Sequence, residues 1–144
     1  MTYSAVSLDR VKGEPGRGRV TIYLRAEHVH DTRVDSPAAT QSVLDRYGAR
    51  LLSRYTLTRG GSRCTKTVER VVWVGQPRML QTRAAIRCPA SGAIAVKVGF
   101  AQELGEEHRH ALALKVGSHE QQSAELKRPF FAAFAAQPPH RRTR

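Results

Sequence analysis

The sequence predicts an all-β fold, an antiparallel β-sandwich of about seven or eight short strands with one short inserted helix. Apolar residues recur at every second position in most apolar segments, which is the pattern of a strand with one buried face. Glycine and proline separate these segments at hairpin length, and only one segment has helical spacing. A parallel α/β sheet would need helices between most of its strands, so the sequence favours packed antiparallel sheets.

The strands are predicted where the two-residue period is clearest. Those segments are 6–8, 20–24, 94–100 and 112–116. Two further runs, 51–58 and 64–74, are separated by Gly60 and Gly61, which are typical turn residues. We expect the alternate apolar residues of these strands to form one core, because 144 residues suit a single domain.

The one helical segment is predicted over residues 37–47. Ser36 is a favourable N-cap residue, and Pro37 suits the first turn of a helix. Val43, Leu44 and Tyr47 then fall on one helical face. Gly48 is expected to end the helix in the left-handed conformation.

The folded domain is predicted to span residues 1–126. Residues 127–144 contain five basic residues, no acidic residue and no periodic apolar pattern, so we expect a basic, poorly ordered tail. The whole chain has 24 Lys and Arg against 12 Asp and Glu, which gives a net charge of +12. This charge is compatible with polyanionic partners or an anionic membrane surface.

A hairpin is predicted from two strands, 64–74 and 78–88, joined by a three-residue loop. This register places Cys64 directly opposite Cys88, where two cysteines can form a disulfide. The alternative is a pair of buried thiols in a reducing compartment. The same register places Glu69 opposite Arg83. A β-bulge in either strand would shift the register of all the residues beyond it.

Several motifs occur in an order that is similar to one known family. They are a glycine turn before Cys64, the second cysteine before Pro89, a strand that ends at Phe100, and the acidic segment 100–112. Together they resemble the N-terminal extracytoplasmic domain of HupE/UreJ-like membrane proteins. The resemblance covers residues 2–126.

The resemblance implies a non-enzymatic soluble accessory domain, presented in the periplasm or at the cell surface. Its partner would be the membrane region of the same full-length protein, which in this family is associated with nickel or cobalt. The motif residues of this chain are Glu103, His108 and Arg109, and Arg109 is expected to hold the loop through Glu103 or Glu106. This chain has no signal-peptide pattern and no apolar run of the roughly 20 residues that a membrane-spanning helix needs.

The sequence contains no assembled catalytic motif. A nucleophile elbow, a zinc-protease motif, a phosphate-binding loop and a dinucleotide fingerprint are all missing from it. We therefore expect neither an enzyme nor a small-molecule substrate.

Nucleic-acid or other polyanion binding is the alternative function. Residues 59–100 contain eight basic residues and one acidic residue. The predicted register divides this charge between both faces of the hairpin, and it puts Arg70 on the cysteine face. Trp73 is the single large aromatic residue of the two strands, so bases would lack stacking partners. Nucleic-acid binding is therefore not favoured.

Four of the six histidines form two H-x-H pairs, which are His28 with His30 and His108 with His110. The two histidines of each pair are two positions apart, so on a strand their imidazoles lie on one face and can bind nickel, copper or zinc together. Nickel or zinc is the only cofactor that the sequence suggests. The alternative is that these histidines are ordinary polar residues at strand ends, and a four-histidine site requires the two pairs to meet.

Overall fold

The computed structural model describes residues 1–8, 16–117 and 121–135. These residues form ten strands and one α-helix, so the all-β prediction with one helix is confirmed. In chain order the elements are β1 (Thr2–Leu8), β2 (Gly16–Arg25), α1 (Gln41–Ser53), β3 (Tyr55–Arg59), β4 (Ser62–Arg63), β5 (Thr65–Val74), β6 (Met79–Cys88), β7 (Ile94–Val98), β8 (His110–Val116), β9 (Gln122–Leu126) and β10 (Phe131–Phe134). Two short 3-10 turns, Ala26–His28 and Gly99–Glu103, follow β2 and β7.

The strands form two sheets. The larger sheet has six strands in the order β5-β6-β2-β1-β8-β9, and the smaller sheet has four in the order β10-β7-β3-β4. Every pairing is antiparallel except that of β1 with β8, which is parallel. The inner faces of both sheets and one face of α1 enclose a single apolar core. No helix among the described residues is long and apolar enough to cross a bilayer.

The helix begins and ends later than the sequence predicts. Thr40 is its N-cap, and the Thr40 side chain accepts a hydrogen bond from the backbone N–H of Val43 at 3.3 Å. Ser36 instead caps a turn by accepting from the N–H of Ala38. Gly48 lies inside the helix and not at its end. The helix packs closely on the larger sheet at this position, where a Cβ on Gly48 would lie 2.5 Å from Cγ2 of Val71. The glycine therefore serves packing and does not end the helix.

The predicted boundary at residue 126 is wrong for the part of the tail that the structure describes. Phe130 is fully buried, and β10 pairs with β7 at the edge of the smaller sheet. The sequence did not indicate this strand, because it has only four residues and follows the charged residues Lys127 and Arg128. The remaining residues of the predicted tail, 136–144, lie outside the described part.

The β5–β6 hairpin has the predicted register only near the cysteines. Val68 lies opposite Ala84 as expected, but a β-bulge then shifts the pairing by one residue. Arg70 therefore lies opposite Arg83, where the sequence placed Glu69. Because a shift of one residue moves a side chain to the other face, the bulge transfers Arg70 from the inner to the outer face of the sheet.

Candidate functional site

The predicted disulfide is present. Cys64 and Cys88 are bonded, with an S–S distance of 2.07 Å and Cα atoms 4.2 Å apart. Cys64 lies where the chain passes from the smaller sheet (β4) to the larger sheet (β5), and Cys88 ends β6. The bond thus holds this crossing point against the larger sheet.

The structure brings three of the four predicted histidines together. His110 begins β8 and is fully buried, and His108 lies in the preceding turn at 8% exposure. His28 lies in the 3-10 turn after β2, and its ring stands edge-on to that of His108 with centroids 5.2 Å apart. His30 is exposed and lines the same pocket as His28, but no hydrogen bond or ring contact joins it to His108 or His110 within the described residues.

A continuous hydrogen-bonded chain runs inward from His108 to Tyr55. Oγ1 of Thr2 lies 2.9 Å from Nε2 of His108 and 2.6 Å from Nδ1 of His110. Oγ of Ser4 lies 2.6 Å from Nε2 of His110 and 2.8 Å from the hydroxyl of Tyr55. Thr2, His110 and Tyr55 are fully buried, so each of these polar groups depends on the others for its hydrogen bonds.

Hydrogen counting assigns a direction to this chain. Each hydroxyl has one hydrogen to donate, and a neutral imidazole has one. All three hydroxyl hydrogens find acceptors within the chain only when Tyr55 donates to Ser4 and Ser4 donates to Nε2 of His110. Nδ1–H of His110 then donates to Thr2, and Thr2 donates to Nε2 of His108. We refer to these five residues as the histidine chain.

Burial keeps these imidazoles neutral. Desolvation, followed by the charge of His108, lowers the pKa of His110 to about 3. Desolvation, then the N-terminal charge and His28, lowers the pKa of His108 to about 4. Desolvation also lowers the pKa of His28 and raises that of the Tyr55 hydroxyl.

A pocket of about 430 Å³ opens at the outer end of the histidine chain. His28 joins the chain to this pocket, whose apolar wall includes Phe100 and Leu104. Its rim is charged but compensated: Asp31 pairs with Arg33 at 3.1 Å and lies 3.8 Å from Arg50. The pocket therefore combines an apolar wall and the His28 imidazole with a rim whose positive and negative charges are paired.

The predicted pairing of Arg109 with Glu103 or Glu106 does not occur among the described residues. Glu103 forms an ion pair with Arg54, which lies just after α1. Arg109 donates to the backbone carbonyls of Glu107 and His108 at 3.1 and 3.3 Å, and its Nε lies 3.9 Å from Glu125. Arg109 thus holds the loop through main-chain oxygens and strand β9.

The predicted four-histidine metal site is not assembled. Among the described residues, no group of three or more His, Cys, Asp or Glu side chains surrounds a common point. Both ring nitrogens of His110 are engaged by hydroxyls, so His110 has no free lone pair for a metal. His28 and His30 line the pocket, and Nδ1 of His28 is buried without a hydrogen-bond partner among the described residues.

Thr2, Ser4 and Tyr55 belong to the site but were not predicted from the sequence. A signal for the first two was present, because Thr2 and Ser4 share the inward-facing positions of β1 with Val6 and Leu8. Polar residues at inward positions must find hydrogen-bond partners in the core. Tyr55 gave no such signal, since it begins a strand far away in the chain.

The fold and site define a disulfide-bonded β-sandwich with a pocket that is lined by His28 and His30 and adjoins a buried chain of hydrogen-bonded histidines. No protein-family model and no curated protein matches the sequence.

Proposed function

We propose that the chain is a non-enzymatic, extracytoplasmic accessory domain of a HupE/UreJ-like membrane protein. One observation carries this proposal. The segment with the sharpest resemblance, residues 100–112, supplies Phe100, Glu103 and Leu104 to the pocket and His108 to the histidine chain beneath it. This segment thus links the pocket to the histidine chain.

The disulfide supports the proposed location. Structural disulfides form and persist in oxidising compartments and are rare in reducing ones. The Cys64–Cys88 bond is compatible with a periplasmic or cell-surface location.

The pocket is the proposed contact with the membrane region of the full-length protein. Its apolar wall and compensated rim suit a side chain or loop of a partner protein better than a free ion, because Asp31 already has two arginine partners. His28 and His30 face this pocket and are the residues that a nickel or zinc ion brought by the partner would meet. Thr2, His110 and Tyr55 lie in the core behind it, which supports a structural role over a catalytic one.

Protease access in the producing cell tests this proposal. Intact spheroplasts are treated with trypsin, and the fragments of this chain are followed by mass spectrometry alongside a cytoplasmic marker protein. We expect the chain to be cut while the marker stays intact, and to sediment with the membranes before digestion. Cleavage only after lysis, together with the marker, would refute the proposed location.

A further inference from the structure

The outer face of the larger sheet carries a cluster of arginines, which we call the arginine face. Its strands alternate between buried and outward residues, and the outward positions of β2, β5 and β6 are rich in arginine. The members of the arginine face are Arg17, Arg19, Arg70, Arg83 and Arg87.

The arginines form a two-dimensional patch. Arg17 lies directly opposite Arg87, and Arg83 lies directly opposite Arg70. Arg19 lies between these two pairs along β2. With strands about 4.8 Å apart and alternate residues about 7 Å apart, the patch extends in both directions of the sheet.

The positive charge of this patch is only partly compensated. Arg19 pairs with Glu69 at 2.9 Å. The other four arginines form no ion pair with any residue in the described part of the chain. Like charges directly opposite each other destabilise a sheet, and this chain has two such pairs on one face. An anionic partner would convert both repulsions into attractions.

Two tyrosines lie beside the arginines. Tyr3 and Tyr23 are cross-strand partners on the same outer face, both partly exposed, and Gln81 donates to the Tyr23 hydroxyl at 3.0 Å. Tyrosine combines an apolar ring with a polar tip, which suits the boundary between lipid headgroups and acyl chains. The sequence could not identify this surface, because its register placed Arg70 on the opposite face.

We infer that the arginine face binds the surface of an anionic phospholipid bilayer. A flat array of cations matches the two-dimensional array of phosphates on a bilayer, whereas a single nucleic-acid strand calls for a linear track. The disulfide is compatible with an oxidising extracytoplasmic compartment, where membranes are at hand and nucleic acid is scarce. The choice of lipid over nucleic acid rests on the extracytoplasmic location proposed above; the anionic character of the partner does not.

Vesicle binding by the purified, oxidised full chain tests this inference. The probes are vesicles of phosphatidylcholine with or without phosphatidylglycerol, at low and at physiological salt. Two variants, Arg17→Gln with Arg87→Gln and Arg70→Gln with Arg83→Gln, each remove two charges from the arginine face. The matched control, Arg46→Gln with Arg63→Gln, removes two exposed arginines that lie elsewhere.

We expect binding only to the phosphatidylglycerol vesicles, weakening with salt. Each surface arginine contributes roughly fivefold to affinity, so either face variant should bind at least tenfold more weakly. The control variant should lose less than threefold, and an Arg17→Lys, Arg87→Lys variant should keep most of the affinity. Circular dichroism and an intact disulfide establish that each variant is folded.

Three outcomes would overturn the inference: equal loss in the control variant, no binding to anionic vesicles, or tighter binding to a single-stranded 20-nucleotide DNA that the face variants abolish. The last outcome would assign the face to nucleic acid. All of these measurements use purified protein, so they are independent of the cellular location. Failure of the protease experiment would therefore refute the proposed function and leave the measured vesicle affinity standing.

Discussion

Thr2 and His110 are direct neighbours in the parallel pairing of β1 with β8, and their side chains are hydrogen-bonded at 2.6 Å inside the core. Both residues are fully buried. The first strand is therefore held against β8 by a polar contact as well as by the sheet. Nε2 of the same imidazole accepts a hydrogen bond from the Ser4 hydroxyl, and this acceptor role requires a neutral ring. The acid sensitivity of the domain follows from that requirement.

Acid should destabilise the domain. The pKa of His110 is about 3 in the folded state against 6.5 for the unfolded chain, and that of His108 is about 4. Below pH 6.5 the unfolded state therefore binds more protons than the folded state, and stability falls as pH falls towards 4. His110 alone contributes up to about 1.4 kcal/mol per pH unit in this window.

Urea unfolding at pH 7 and pH 5 measures this effect. A His30→Gln variant should show the same pH dependence, because His30 is exposed. Equal unfolding free energies at the two pH values would contradict the assignment of neutral, buried imidazoles.

Replacing Tyr55 by phenylalanine should cost about 1 to 3 kcal/mol of unfolding free energy, because the buried Ser4 hydroxyl loses its donor. Tyr3→Phe is the matched control, since Tyr3 is partly exposed on the outer face, and its change should stay within about 0.5 kcal/mol. Chemical denaturation of both variants measures the two changes in unfolding free energy. A cost no larger than that of the control would show that the histidine chain does not end at Tyr55.

The disulfide should stabilise the domain by about 3 kcal/mol, because it restricts the unfolded chain across a sequence separation of 24 residues. A Cys64→Ala, Cys88→Ala variant should therefore unfold at lower urea concentration than the oxidised protein. It should match the wild-type chain in excess reductant. An unchanged midpoint in both samples would exclude a stabilising bond.

Gly48→Ala should destabilise the domain by about 1 to 3 kcal/mol, although alanine favours helix formation by about 1 kcal/mol. The added methyl would lie 2.5 Å from Cγ2 of Val71 and 3.1 Å from Cγ2 of Thr82. Ala49→Gly, on the exposed side of the same helix, is the comparison and should cost about 1 kcal/mol. A stabilised Gly48→Ala protein would mean that α1 packs less closely on β5.

Local patterns predicted most of the strands and the disulfide, because both depend on spacing within one or two neighbouring strands. The two-residue period locates β2, β7 and β8, and the loop after Val74 aligns Cys64 with Cys88. The bulge after Val68 could not be predicted, since it depends on which face each side chain can bury. The start of the helix also depends on packing, because Thr40 and Ser36 are both good capping residues.

The histidine chain lay beyond sequence reasoning for a different reason. Thr2 and His110 are 108 residues apart and meet only because β1 pairs in parallel with β8. Spacing alone placed His108 and His110 on one face, but it could not reveal that hydroxyls from another strand occupy the ring nitrogens of His110. The H-x-H pattern therefore suggested a metal site where the fold makes a buried hydrogen-bonded chain.

The thiol state of Cys64 and Cys88 inside living cells tests the central claim, an extracytoplasmic domain, most directly. Cells are quenched in acid, which stops thiol exchange, and alkylated under denaturing conditions with and without prior reduction. The intact mass of the chain is then compared between the two samples. We predict no alkylated cysteine before reduction and two after it, whereas two alkylated cysteines in the unreduced sample would contradict the proposed compartment.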